Sequence, residues 1–220
     1  MTSVDQGKKP FLRTTGTWFL RISLAGLLGT LALLAYPLDS IANSNLTVHM
    51  FQHIGLFVFS AVFGFGLERV LLERMAQLRR KVYPVWRGYV SLIKFNTTTK
   101  GLVFAGLIPA VVFSYWHFPP NFDLAATNGL VHISEHLSYI ASGSLVGASI
   151  LAIPRKFRAA LLVFGFMTAG MMGSMMLVWP DFYTAYTAAQ NTQMESSLML
   201  FGAVGMIATG SWFLKILDVI

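Results

Sequence analysis

Six apolar runs, each about as long as a lipid bilayer's hydrocarbon core requires of a helix, constrain this chain more than any other feature. They cover roughly residues 18–38, 47–67, 101–117, 129–153, 159–179 and 196–214. A closed barrel would also satisfy its backbone in lipid, but its strands alternate apolar and polar residues over about ten positions, and no segment here alternates in that way. The expected fold is therefore all-α: a polytopic membrane helix bundle of about six transmembrane helices, with residues 1–220 forming a single integral membrane domain. Composition agrees, since 55% of the residues are hydrophobic and 11% charged, where soluble domains carry about 25% charged residues. Lys8, Lys9 and Arg13 before the first run, with Ile41-Ala42-Asn43-Ser44 after it, give it some likeness to a signal peptide. The run is long for that role, and five more follow.

The sixteen basic residues give the orientation. They fall at the N-terminal end, between Arg69 and Lys100, in Arg155-Lys156-Phe157-Arg158, and at Lys215. The loops at 39–46, 118–128 and 180–195 have none. By the positive-inside rule both termini, the basic loop 69–100 and the short basic loop are cytoplasmic, and the other three loops are outside. In the long loop Arg74, Arg79, Arg80, Lys81 and Arg87 interleave with Tyr83, Trp86 and Tyr89. An amphipathic segment lying on anionic membrane lipid explains this pattern better than a nucleic-acid patch, so lipid is the expected partner and nucleic acid is not.

On that topology the five histidines all lie near the outer face: His49 and His53 begin the second span, His117 ends the third, and His132 and His136 begin the fourth. Ionisable residues inside a membrane mark functional sites. His49/His53 and His132/His136 are both i, i+4 pairs, which project from one helix face about 6 Å apart and can chelate one metal. If the second and fourth spans adjoin, four imidazoles converge. The positive end of each helix start disfavours imidazolium and keeps the rings able to ligate. Glu135 could ligate directly or orient a ring, and so could Asp123 in the outer loop.

Metal chemistry is narrowed by the absence of cysteine, which excludes disulfides, thiolate zinc sites, iron–sulfur clusters and cysteine nucleophiles. Met167, Met171 and Met175 recur along the fifth span, with Met172 and Met176 beside them. A methionine stripe is more often adaptable packing than ligation, and Gly165, Ala169, Gly170 and Gly173 beside it suggest a close helix contact. Alongside histidine, however, thioethers favour copper. Two other chemistries remain open. His132-Ile133-Ser134-Glu135-His136 has the order of an inverted zinc-peptidase motif, and bis-histidine haem between the second and fourth spans would use one histidine of each pair.

Three motifs resemble those of the CtaG family of cytochrome c oxidase assembly factors and its archaeal relatives. His49-Met50-Phe51-Gln52-His53 is similar to the family's H-M-x-Q-H, Trp116-His117-Phe118-Pro119-Pro120-Asn121-Phe122-Asp123 to its W-H-x-P-P-x-(Y/F)-D, and His132-Ile133-Ser134-Glu135-His136-Leu137 to its H-x-x-E-H-L. Phe182-Tyr183-Thr184-Ala185-Tyr186, Gln193 and Met199 resemble its outer loop and last span more loosely. The likeness covers about residues 47 to 202. It implies a multi-pass protein of a prokaryotic cytoplasmic membrane that supplies copper during maturation of haem-copper oxidases, with metal transfer in place of substrate turnover. The expected ligands are His49, His53, His132 and His136, with His117 as a further ligand or relay. Glu135, Asp123 and Gln52 would support them, and Met50 or Met175 would offer a soft position during transfer. The alternative is a resident subunit of a membrane metalloenzyme carrying haem or a structural metal, and a lesser one is a membrane zinc hydrolase.

Overall fold

The computed structural model describes residues 11–78, 88, 91, 95 and 98–217. Among them there are eight helices and no strand: α1 Phe11–Leu34, α2 Leu38–Ser44, α3 Leu46–Leu78, α4 Thr99–Trp116, α5 Pro119–Thr127, α6 Gly129–Ser149, α7 Arg155–Val178 and α8 Ala188–Ile216. Four of these are long and apolar enough to cross a membrane, over Thr17–Leu34, Leu46–Leu71, Arg155–Val178 and Ala188–Ile216. The run expected at 129–153 is a helix of 21 residues, but His132, Glu135 and His136 lower its hydropathy. In the run expected at 101–117, the described apolar stretch is the shorter Gly106–Trp116.

The surface is that of a chain facing lipid. Leu28, Val103, Leu130, Leu200 and Ile207 are exposed, while His49, Gln52, His53, Glu135 and His136 are buried. A water-soluble fold arranges these residue types the other way round.

Two segments expected as outer loops are helical. Pro37, which cannot continue α1 because it lacks an N–H, starts α2. Pro119 and Pro120 occupy the first turn of α5, where a missing N–H is tolerated. In the third outer loop the helix starts early, at Ala188, under a capping box: Thr187 Oγ1 accepts from Gln190 N–H at 3.3 Å, and Gln190 Oε1 accepts from Thr187 N–H at 3.1 Å. On the cytoplasmic side of the expected topology, α3 continues beyond residue 67 to Leu78. Arg79, Arg80, Lys81, Tyr83, Trp86, Arg87 and Tyr89 of the basic loop lie outside the described residues.

Small residues let three helix pairs approach closely. On the α3–α6 seam a Cβ on Gly64 would overlap the backbone carbonyl of Ser144, and one on Gly147 would overlap that of Ala61. These backbones touch because no side chain holds them apart. Gly66 packs in the same way against Ser23 of α1, and Gly173 and Gly202 join α7 to α8. Gly165, expected in that last contact, faces open space.

Candidate metal centre

The α3–α6 seam sets the site. His49 and His53 lie in the first two turns of α3, and His132 and His136 in the first two turns of α6, so two helices running in parallel bring both pairs to one level. Within each helix the paired rings have centroids 4.5 Å apart for His49/His53 and 4.0 Å for His132/His136. Across the seam His49 is 5.3 Å from His132 and 6.4 Å from His136, and His53 is 5.5 Å from His136. The expected convergence of four imidazoles is therefore present. His117, at the end of α4, adds a fifth ring 6.0 Å from His53.

Two carboxylates enter the cluster. Glu135 is fully buried, with its oxygens 3.5 Å from His53 Nε2, 3.6 Å from His132 Nδ1 and 3.9 Å from His49 Nε2. Asp39, on α2, has Oδ1 3.5 Å from His132 Nε2 and 3.9 Å from His136 Nδ1. These separations exceed those of charge-assisted hydrogen bonds, which close to about 2.7–2.9 Å. They approach the spacing of donors around a shared ion: ligand atoms about 2.0–2.2 Å from a tetrahedral metal lie about 3.3–3.6 Å apart.

Three overlapping triads have donor atoms within 4.8 Å of one another: His49, His53 and His136; Asp39, His132 and His136; and His49, His132 and Glu135. Buried polar atoms ordinarily have partners. Here His49 Nε2, both nitrogens of His53, both of His132, His136 Nε2 and both oxygens of Glu135 have no hydrogen-bond partner among the described residues. This donor set fits a metal ion.

The surroundings orient the rings. His49 Nδ1 is 2.5 Å from the Tyr186 hydroxyl, which directs Nε2 into the cluster. His117 Nδ1 donates to the Phe113 carbonyl at 2.8 Å. That carbonyl bond fixes the tautomer and leaves Nε2 as the lone-pair nitrogen. Gln52 Nε2 donates to Asp39 Oδ1 at 3.0 Å and to the Leu33 carbonyl at 2.7 Å, fixing the acid against α1 and α3. Phe122, Tyr139 and Tyr186 wall the cluster. In the loop between α7 and α8 burial pushes the Tyr183 hydroxyl well above the usual phenol range. It stays protonated and donates to the His117 carbonyl at 3.1 Å.

Against this geometry, the sequence model of one family, described as cytochrome c oxidase caa3 assembly factor (Caa3_CtaG), matches residues 11–214. The chain belongs to the Caa3_CtaG family. Neither the curated proteins nor the solved structures compared with it include a match. Family membership supports a role in cytochrome c oxidase assembly.

The other residues expected at the site of this Caa3_CtaG chain are distributed more widely. Asp123 does not join the rings: its carboxylate accepts from Thr184 N–H at 3.0 Å, Thr184 Oγ1 at 2.7 Å and Ala185 N–H at 3.1 Å, tying α5 to the loop between α7 and α8. Met50 is buried beside the site with Phe122, Tyr183 and Tyr186. Met175 is exposed on the far side of α7, where it shares an apolar groove with Met167, Met171, Met199 and Met206. Only Met172 and Met176 of the stripe pack inward. Sequence reasoning missed Asp39 altogether. Its one signal was position: an acid beside Pro37, at the outer end of the first apolar run.

Proposed function

We propose that the chain is a six-span protein of the cytoplasmic membrane, with both termini inside, that holds copper as cargo at its outer end and passes it on during assembly of a haem-copper oxidase. His49, His53, His132 and His136 are the ligands, His117 stands by as a fifth, and Glu135 balances charge. The observation that carries this reading is the set of buried imidazole nitrogens without hydrogen-bond partners, converging from two helices. Four imidazoles with no thiolate suit copper and zinc, and copper binds the more tightly of the two to a given nitrogen set. The oxidase-assembly family favours copper as well.

Two features argue against the alternatives. Haem between α3 and α6 would have to part helices whose backbones already meet at Gly64 and Gly147. A zinc hydrolase would need Glu135 to reach a water and a substrate. Its carboxylate is instead fully buried, with three imidazoles within 4 Å.

The test is metal content per chain after purification in mild detergent under reducing conditions, with an absorption spectrum of the same sample. Near-stoichiometric copper without a Soret band, lost in the His53→Ala/His136→Ala double variant with an unchanged melting profile, is the expected result. Iron with a Soret band, or copper retained in the double variant, would overturn the assignment.

A further inference from the structure

Two of the cluster's three triads share His136 and differ in chemistry. His49, His53 and His136 offer imidazole only, and the first two are fully buried. Asp39, His132 and His136 offer a carboxylate and two imidazoles, and the Asp39 side chain is 33% exposed. Exposure thus falls along a short path from Asp39 through His132 and His136 to His53. Asp39 comes from an element that none of the histidine motifs contains, the short helix α2 seated between α1 and α3. Gln52, from within the first motif, holds it in place.

We infer that Asp39, His132 and His136 form an outer station through which copper enters and leaves the buried His49–His53–His136 station, with His136 common to both. This inference rests on the copper-handling reading above. An ion held in three or four strong bonds at a site with no solvent contact leaves slowly unless ligands exchange one at a time. A neighbouring triad that already shares a ligand supplies that exchange. Its charged oxygen, partly in water, can take up an ion that still carries some of its hydration or partner ligands, while the inner imidazole set holds the ion after those are shed. The outer station should therefore set rates, and the inner one should set occupancy.

Asp39→Asn separates the two. It removes the charge and the good ligand while leaving an oxygen to accept from Gln52. With the full-length protein in detergent, Cu(I) would be loaded under reductant, and its removal by excess bathocuproine disulfonate followed by absorbance. The expected result is unchanged copper per chain at equilibrium, with both loading and removal slowed at least tenfold relative to the wild type. His53→Ala should instead lower the content itself. Asp39→Asn with wild-type rates would overturn the outer station, and so would Asp39→Asn that loses its copper while keeping its melting profile, because Asp39 would then be a ligand of the holding site. If Asp39→Asn melts differently, Asp39→Glu, which keeps the carboxylate, must restore wild-type rates; failure to do so would also overturn the station. A wild type that takes up no copper would instead remove the reading on which the station depends.

Discussion

At the residue scale, the cluster is defined by what its atoms lack. A buried imidazole nitrogen without a partner costs about 1–3 kcal/mol, and several such atoms on four rings would be an expensive core if they served no ligand. Each ring's other contact then becomes informative. Tyr186 sits 2.5 Å from His49 Nδ1 and belongs to the outer loop, so it orients a proposed ligand from outside the ligand helices. Partners of this kind typically affect metal affinity by about 10–100-fold. Tyr186→Phe keeps the ring that packs on Phe122 and loses only the hydroxyl. Copper affinity measured by chelator competition should fall by about that range, with stoichiometry intact. Unchanged affinity would mean that packing alone orients His49. Asp123 predicts the reverse pattern. Its three hydrogen bonds hold the outer loop and reach no ring, so Asp123→Ala should expose residues 180–187 to limited proteolysis while reducing copper content less than His53→Ala does.

At the element scale, the site depends on helix spacing. α3 and α6 present their histidines to each other because glycine, alanine and serine line the seam about two to three turns further along. Gly147→Ala puts a methyl group into the carbonyl of Ala61. Overpacking of this kind costs about 1–3 kcal/mol, so the variant should melt earlier in detergent and lose copper without touching a ligand. Gly165→Ala, facing open space on α7, should change neither. Equal behaviour of the two would show that the seam does not set the site.

The sequence made the histidine pairs legible because both partners share one helix and the i, i+4 spacing is local. It made the helices legible because apolar length is a property of the run itself. Asp39 was hidden because its approach depends on how α2 folds back after Pro37, which no periodicity encodes. The sequence leaves the contacts of Asp123 open for the same reason: a carboxylate in a loop looks alike whether it meets imidazoles or the backbone amides of residues 184 and 185. The methionine stripe was ambiguous because one helix face can be split between core and lipid, with Met176 buried and Met175 exposed.

At the scale of the whole molecule, the question is whether a helix as polar as α6 crosses the membrane. Its 21 residues rise about 31 Å, enough to span the hydrocarbon core. What lowers its hydropathy most is His132, Glu135 and His136, all of them buried. Lipid would meet Leu130, Ile133 and Leu137 instead, all exposed. Polar residues in a span are tolerated when they face the bundle interior, so hydropathy alone undercounts such a helix. Four crossings and six crossings put the termini and both basic loops on the same side, and they differ only in where residues 117–129 lie. The ring of His117, at the end of α4, stands 6.0 Å from that of His53 near the start of α3. If α3 begins at the outer face, as the positive-inside rule predicts, α4 must end there and α6 must start there. A chain without cysteine allows a direct test. Thr127→Cys, exposed at the end of α5, should react with a membrane-impermeant maleimide added to intact cells, and Lys156→Cys should react only after the membrane is opened. Labelling of residue 127 only in opened cells would put α4 and α6 on the cytoplasmic side, and the histidine cluster with them.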